Sequence, residues 1–146
     1  MIGVKPYVAF PGNCEEAVNF YKDALDAELL YLERYGDSPM AEHAPEGSAD
    51  KVIHCTLRIG DTHLMACDSM MPAGELKIGN NVTLAVGLDD ADAAARMFDR
   101  LAEGGSVTMP MQETYWAERF GMLTDKFGIN WMFNVEKPHG SMLETN

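Results

Sequence analysis

The side chains able to do chemistry in this 146-residue sequence fall into two groups. The first lies on two short alternating segments. Strand side chains point alternately to opposite faces. In Lys51–Ile59, His54, Thr56 and Arg58 therefore share one face, and Ile53, Cys55, Leu57 and Ile59 share the other. The phase adopted for the return segment, Thr62–Asp68, places Leu64, Ala66 and Asp68 on the His54 side. His54 and Asp68 then form a His–carboxylate pair in which Asp68 orients the imidazole for general acid–base work. Arg58 can receive a carboxylate or phosphate of a ligand. The plainer alternative makes His54 a polar interior residue satisfied by Asp68, and Arg58 a salt-bridge partner of the acidic surface. The second group is an aromatic stretch with Gln112, Tyr115, Trp116 and Phe120. There Trp116 and Phe120 can stack on a planar ligand, and Gln112 can both donate and accept. Alternatively, the rings pack a loop onto the core or fill a subunit interface.

These residues need elements to position them. Lys5–Pro11 reads as a strand. Asn13 reads as the N-cap of a helix over Cys14–Leu25, with Glu16 three residues on as in a capping box and Ala17, Phe20, Tyr21, Ala24 and Leu25 as its apolar stripe. Glu28–Tyr35 is the next strand. A Pro- and Gly-containing loop over 36–50 leads to Lys51–Ile59, and Gly60-Asp61 turns the chain into Thr62–Asp68. After a loop over 69–79 the pattern restarts. Val82–Leu88 alternates, and Asp89 or Asp90 caps a second helix with the stripe Ala94, Met97, Phe98 and Leu101, which Gly104-Gly105 closes. Three strands follow at about 107–113, 119–124 and 130–135, with Asp125 as the turn residue between the last two.

Strand–helix–strand–strand–strand thus occurs twice, over about 4–70 and 80–136, with the boundary near Leu76–Asn80 and a tail over 137–146. The expected fold class is α+β: one domain of two βαβββ repeats, with helices outside and a curved mixed sheet whose concave face forms a cup. The helix-facing set is Val8, Phe10, Ile53, Cys55, Leu57, Met65, Cys67, Val82, Leu84, Val86, Trp131, Phe133 and Val135. The cup-facing set is Tyr7, Ala9, His54, Thr56, Arg58, Leu64, Ala66, Asp68, Thr83, Ala85, Met132 and Asn134. Tyr7, Arg58, Thr83, Gln112, Trp116 and Phe120 are the expected ligand-binding residues, beside His54 and Asp68.

Several stretches are similar to the PhnB-like branch of the glyoxalase/fosfomycin-resistance (vicinal oxygen chelate) superfamily, which shares its fold with bleomycin-resistance proteins. They are Pro6-Tyr7-Val8-Ala9-Phe10 with Gly12-Asn13-Cys14; Glu28-Leu29-Leu30-Tyr31; His54 with Leu57-Arg58-Ile59; and above all Gln112 to Gly121 and Thr124 to Val135. Asp26 stands where that family usually closes its first helix with Gly, and Asp tolerates the left-handed conformation. The resemblance implies paired βαβββ units, usually a dimer, and in many members a divalent metal held by His and Glu on the first and last strands of each unit. At the corresponding positions this sequence has Tyr7, Leu64 and Ala66, Thr83, and Met132. Leu, Ala and Met do not ligate a hard divalent ion. The expectation is therefore a small-molecule-binding protein with no metal and no cofactor. A metal-dependent lyase, transferase or dioxygenase is the alternative. A methyltransferase, a label some relatives bear, lacks support: there is no glycine-rich turn after a first strand and no doubly wound alternation.

Composition narrows the partners. Acidic residues outnumber basic ones 23 to 11, and a net charge of −12 repels phosphate backbones and anionic lipids, so neither nucleic acid nor membrane is expected. Cys14, Cys55 and Cys67 are odd in number and lack CxxC spacing, which fits free thiols rather than a disulfide framework. No signal-peptide pattern or spanning apolar run is present, and a cytoplasmic homodimer is expected. His43 and His63 have little supporting context, and His139 falls in the tail. The 11 methionines show no thiol-ligand clustering that would suggest copper.

Overall fold

The computed structural model describes residues 2–72 and 74–137. The C-terminal tail with His139 lies outside them. The chain divides into two compact units, Met1–Lys77 and Ile78–Asn146, and each has the same element order.

In the first unit, β1 (Tyr7–Phe10), α1 (Cys14–Leu25), β2 (Glu28–Arg34), β3 (Val52–Ile59) and β4 (Thr62–Asp68) build a four-stranded sheet of order β1-β4-β3-β2. Strand β1 runs parallel to β4, and the other pairs are antiparallel. Helix α1 packs on β2, β3 and β4 with Ala17, Val18, Tyr21, Ala24 and Leu25 buried. It ends at Asp26, which adopts φ 51° and caps through the left-handed region, as the sequence suggested.

The helix start differs from expectation. The Asn13 side chain makes no capping bond, and its Oδ1 is buried without a partner among the described residues. A carboxylate 54 residues downstream does the capping instead: the Cys14 amide donates to Asp68 Oδ1 at 2.9 Å.

The face assignment of β4 is also corrected. Gly60-Asp61 is a two-residue turn, with Gly60 at φ 57°, and it sets Ile59 opposite Thr62 and Leu57 opposite Leu64. Leu64, Ala66 and Asp68 therefore join Cys55 and Leu57 on the helix side, where all five are buried. Met65 and Cys67 move to the helix-free face. The expected phase is off by one residue, which reverses every side chain of a strand.

In the second unit, β5 (Thr83–Leu88), α2 (Ala91–Leu101), β6 (Ser106–Gln112), β7 (Ala117–Thr124) and β8 (Asn130–Glu136) give a sheet of order β5-β8-β7-β6. Asp90 caps α2, its Oδ1 accepting from the amides of Asp92 and Ala93. Ala94, Phe98 and Leu101 face the sheet, where Phe98 meets Phe133 edge-to-face at 5.6 Å. Gly121 lies under this contact. A Cβ there would stand 2.9 Å from the Phe98 ring and 2.8 Å from the Met111 sulfur, so glycine is what lets the helix sit down. Leu84, Val86, Trp131, Phe133 and Val135 share the helix side, as their alternation suggested. Val82 precedes β5 and is exposed, so it leaves the core set.

The fold class is thus α+β, with two four-stranded mixed sheets and one helix on each. No helix among the described residues is long and apolar enough to cross a membrane.

Candidate functional site

The helix-free face of the first sheet is a grid fixed by register. One row reads Tyr7, Met65, Thr56, Tyr31 across β1, β4, β3 and β2. In the adjacent row Ala9 pairs with Cys67 and His54 with Glu33, and continuing the β3–β4 register sets His54 opposite Cys67. Side chains lean together over these rows. The Tyr7 and Tyr31 rings lie 5.8 Å and 6.1 Å from the His54 ring, and Thr56 Oγ1 is 3.3 Å from His54 Nε2. Loss of solvent and a hydrogen bond to Cys67 push the Tyr7 phenol up to about 12. Tyr31 is also raised, by loss of solvent and then by the Glu33 carboxylate. Both phenols therefore stay protonated at neutral pH and can donate to a ligand. Cys67, Glu33 and Tyr31 belong to this face although the sequence pattern did not place them there. Cys67 was hidden by the β4 phase error. Tyr31 and Glu33 lie beside register shifts in β2, which break the alternation needed to assign their face.

The Tyr7 shift gives a signed prediction. A phenol whose pKa is raised in the folded state favours folding while it is protonated. That contribution is complete below the ordinary value near ~10 and fades as pH rises through about 12. Ultraviolet difference titration of wild type against Tyr7→Phe should show the missing phenol titrating near 12. A missing phenol with an ordinary midpoint would contradict the assignment.

The His54–Asp68 pairing is not formed. Asp68 sits on the helix side, 2 % exposed, and its two oxygens accept from the amides of Cys14 and Val52, each at 2.9 Å. Its role is to tie the start of α1 to the start of β3. Arg58 shares the face of His54 but bridges Glu28 across the β2–β3 ladder, with both side chains about half exposed. His63 is opposite Arg58, and His43 is exposed in the loop after β2. Cys14 and Cys55 are buried with their sulfurs 3.8 Å apart, and that contact together with burial raises the Cys14 thiol, which makes it a poor nucleophile.

The second sheet presents its own helix-free face. Gln112 is opposite Phe120, Phe120 opposite Asn134, and Asn134 beside Gly87, one row spanning β6, β7, β8 and β5. Thr83, Ala85 and Met132 lie on the same face. The turn between β6 and β7 positions Trp116: the Thr114 amide donates to the Ala117 carbonyl, and the Ala117 amide donates to Thr114 Oγ1. The Trp116 ring meets Phe120 edge-to-face at 5.3 Å and Tyr115 at 4.8 Å. Gln112, Trp116, Phe120 and Thr83 are thus held on one face of one unit. Asn134 Oδ1 is shielded from solvent and has no partner among the described residues. Such an unmet acceptor costs roughly 1–3 kcal/mol.

Residues 3–133 match the Glyoxalase/Bleomycin resistance protein/Dioxygenase superfamily. The chain belongs to this superfamily. Its solved neighbours include a PhnB protein. The chain is 38% identical to Protein YjdN of Escherichia coli over 142 residues, covering 92% of this chain and 95% of YjdN. The crystal structure of PA1353 from Pseudomonas aeruginosa superposes with a TM-score of 0.82 at 40% identity, covering 93% of this chain and 98% of that one. A PhnB protein from Bacillus cereus, described as a putative 3-demethylubiquinone-9 3-methyltransferase, superposes with a TM-score of 0.76 at 27% identity, covering 92% and 99%.

Many superfamily members use a divalent metal, so the donor set is the relevant test. With β4 in its true phase, the positions that the resemblance implies for a metal become, in the first unit, Tyr7 on β1 and Met65 or Cys67 on β4. In the second unit they are Thr83 on β5 and Met132 on β8. None is a His or a carboxylate, and no group of three His, Cys, Asp or Glu side chains among the described residues is placed to hold a metal. These donors do not fit a hard divalent ion with an open substrate position.

Proposed function

We propose that this chain is a PhnB-like small-molecule-binding protein that works without the superfamily metal. The observation behind this reading is the donor set: phenol, thioether, thiol and hydroxyl occupy the positions where metal-dependent members need imidazole and carboxylate. The helix-free faces remain well equipped for an organic ligand. Tyr7, His54 and Tyr31 with Thr56 offer rings and donors on the first sheet, and Gln112, Trp116, Phe120 and Thr83 do so on the second. Arg58, bridged to Glu28, supplies a cation to a ligand carboxylate at one end of the first face. We further propose a cytoplasmic homodimer, because each sheet ends in edge strands that a second chain can cover.

Metal analysis tests the reading directly. Protein exposed to Mn, Fe, Co, Ni and Zn and then desalted should retain less than about a tenth of an equivalent of each, since affinity follows ligand type and number. Near one equivalent per chain would overturn the proposal in favour of a metal-dependent lyase, transferase or dioxygenase.

A further inference from the structure

We infer that the helix-free face of the second unit selects a planar ring molecule bearing an N–H or O–H donor, with Asn134 as the residue that reads the donor. This rests on the metal-free binding reading and adds the ligand's chemical class. Asn134 is on the central strand β8, and its Oδ1 is sheltered from water yet accepts no hydrogen bond among the described residues. Nearly all sheltered polar atoms in folded proteins are paired, so one left over in a row with the Phe120 ring and the Gln112 side chain signals a missing partner. Its row explains what that partner looks like. On one side is Phe120, the ring that Trp116 meets at 5.3 Å, and beyond it Gln112. On the other side is Gly87, where an added Cβ would meet nothing within 4 Å. An aromatic wall, an unmet acceptor and open space thus follow one another along a single row. A flat ring set against Trp116 and Phe120 brings its edge over Asn134, and that edge must donate. A ligand of the same shape without the donor leaves the acceptor unmet, which is how a polar site rejects an isostere.

Indole and benzothiophene test this, because they share a shape and only indole has the N–H. Binding is measured by titration calorimetry on the full chain. Indole should bind about tenfold tighter than benzothiophene to wild type. Asn134→Leu should remove that preference while benzothiophene binding persists. Asn134→Asp, which keeps an acceptor oxygen, should retain the preference for indole, and this guards against a Leu variant that fails to fold. Trp116→Ala should weaken both probes. Equal affinities in wild type, a preference surviving in Asn134→Leu, or no binding of either probe at millimolar concentration would overturn the inference. Failure of the metal-free reading is seen separately, as metal bound near one equivalent per chain.

Discussion

Asp125→Ala is expected to destabilise the protein by about 2–6 kcal/mol, because it strips two buried donors and one partly buried donor of the one carboxylate they share. That carboxylate is 3 % exposed. Oδ1 accepts from the amides of Phe127 and Ile129 at 2.8 and 3.0 Å, and Oδ2 accepts from the Trp131 indole N–H at 2.9 Å. The first two bonds shape the turn between β7 and β8, in which Gly128 takes φ 88°. The third anchors the largest fully buried side chain of the core. Each buried donor deprived of its acceptor costs roughly 1–3 kcal/mol, and alanine takes the carboxylate from two such donors, the Phe127 amide and the Trp131 indole N–H, and from the partly buried Ile129 amide. Single domains are stable by only about 5–15 kcal/mol, so the urea midpoint should fall steeply. Trp131→Phe removes one donor together with its ring, so its hydrogen-bond share should be the smaller one. A loss below ~1 kcal/mol for Asp125→Ala would mean that the turn forms without its carboxylate.

The Asp125 turn was readable from sequence because its signals are local: an Asp followed three residues on by Gly, between two alternating strands. The same holds for most of the α1 and α2 stripes and for the caps Asp26 and Asp90, whereas Phe20 and Met97 are only half-buried and α2 ends at Ala102 in the right-handed region, ahead of Gly104-Gly105. The doubled βαβββ order was readable for that reason too. What failed was non-local. Asn13 has the right residue type for a cap, yet the bond is made by Asp68, brought in by the pairing of β1 with β4. The β4 phase was in reach, since a two-residue turn at Gly60-Asp61 pairs residues symmetrically outward and so puts Leu64 with Leu57. Hydrophobicity alone misled because Met65 and Cys67 are as apolar as Leu64 and Ala66. With the phase wrong, the candidate site gained a carboxylate and lost a thiol. On the second sheet the alternation of β5 and β8 was clean, and Thr83, Ala85, Met132 and Asn134 share the face expected of them.

Asp68→Asn is expected to cost about 2–4 kcal/mol and to leave the chemistry of the His54 face unaltered. The two Asp68 oxygens each receive one backbone amide, from Cys14 and from Val52, so a carboxylate satisfies both donors and an amide can satisfy only one. The Asn NH2 would then point a donor at a donor inside the core. The helix adds to the effect, because its unpaired first-turn amides favour negative charge and Cys14 is its first residue. A residue that oriented His54 would behave differently: its loss would spare stability and couple to changes at the imidazole. A double-mutant cycle of Asp68→Asn with His54→Asn separates the two roles. The structure calls for additive stability effects, because the two side chains leave opposite faces of the sheet. A coupling above ~0.5 kcal/mol would return Asp68 to the His54 site. Additivity with a large Asp68 term would make this carboxylate the clasp that joins the first turn of α1 to β3, and would leave the helix-free face to Tyr7, Cys67, Tyr31 and Glu33 around the imidazole.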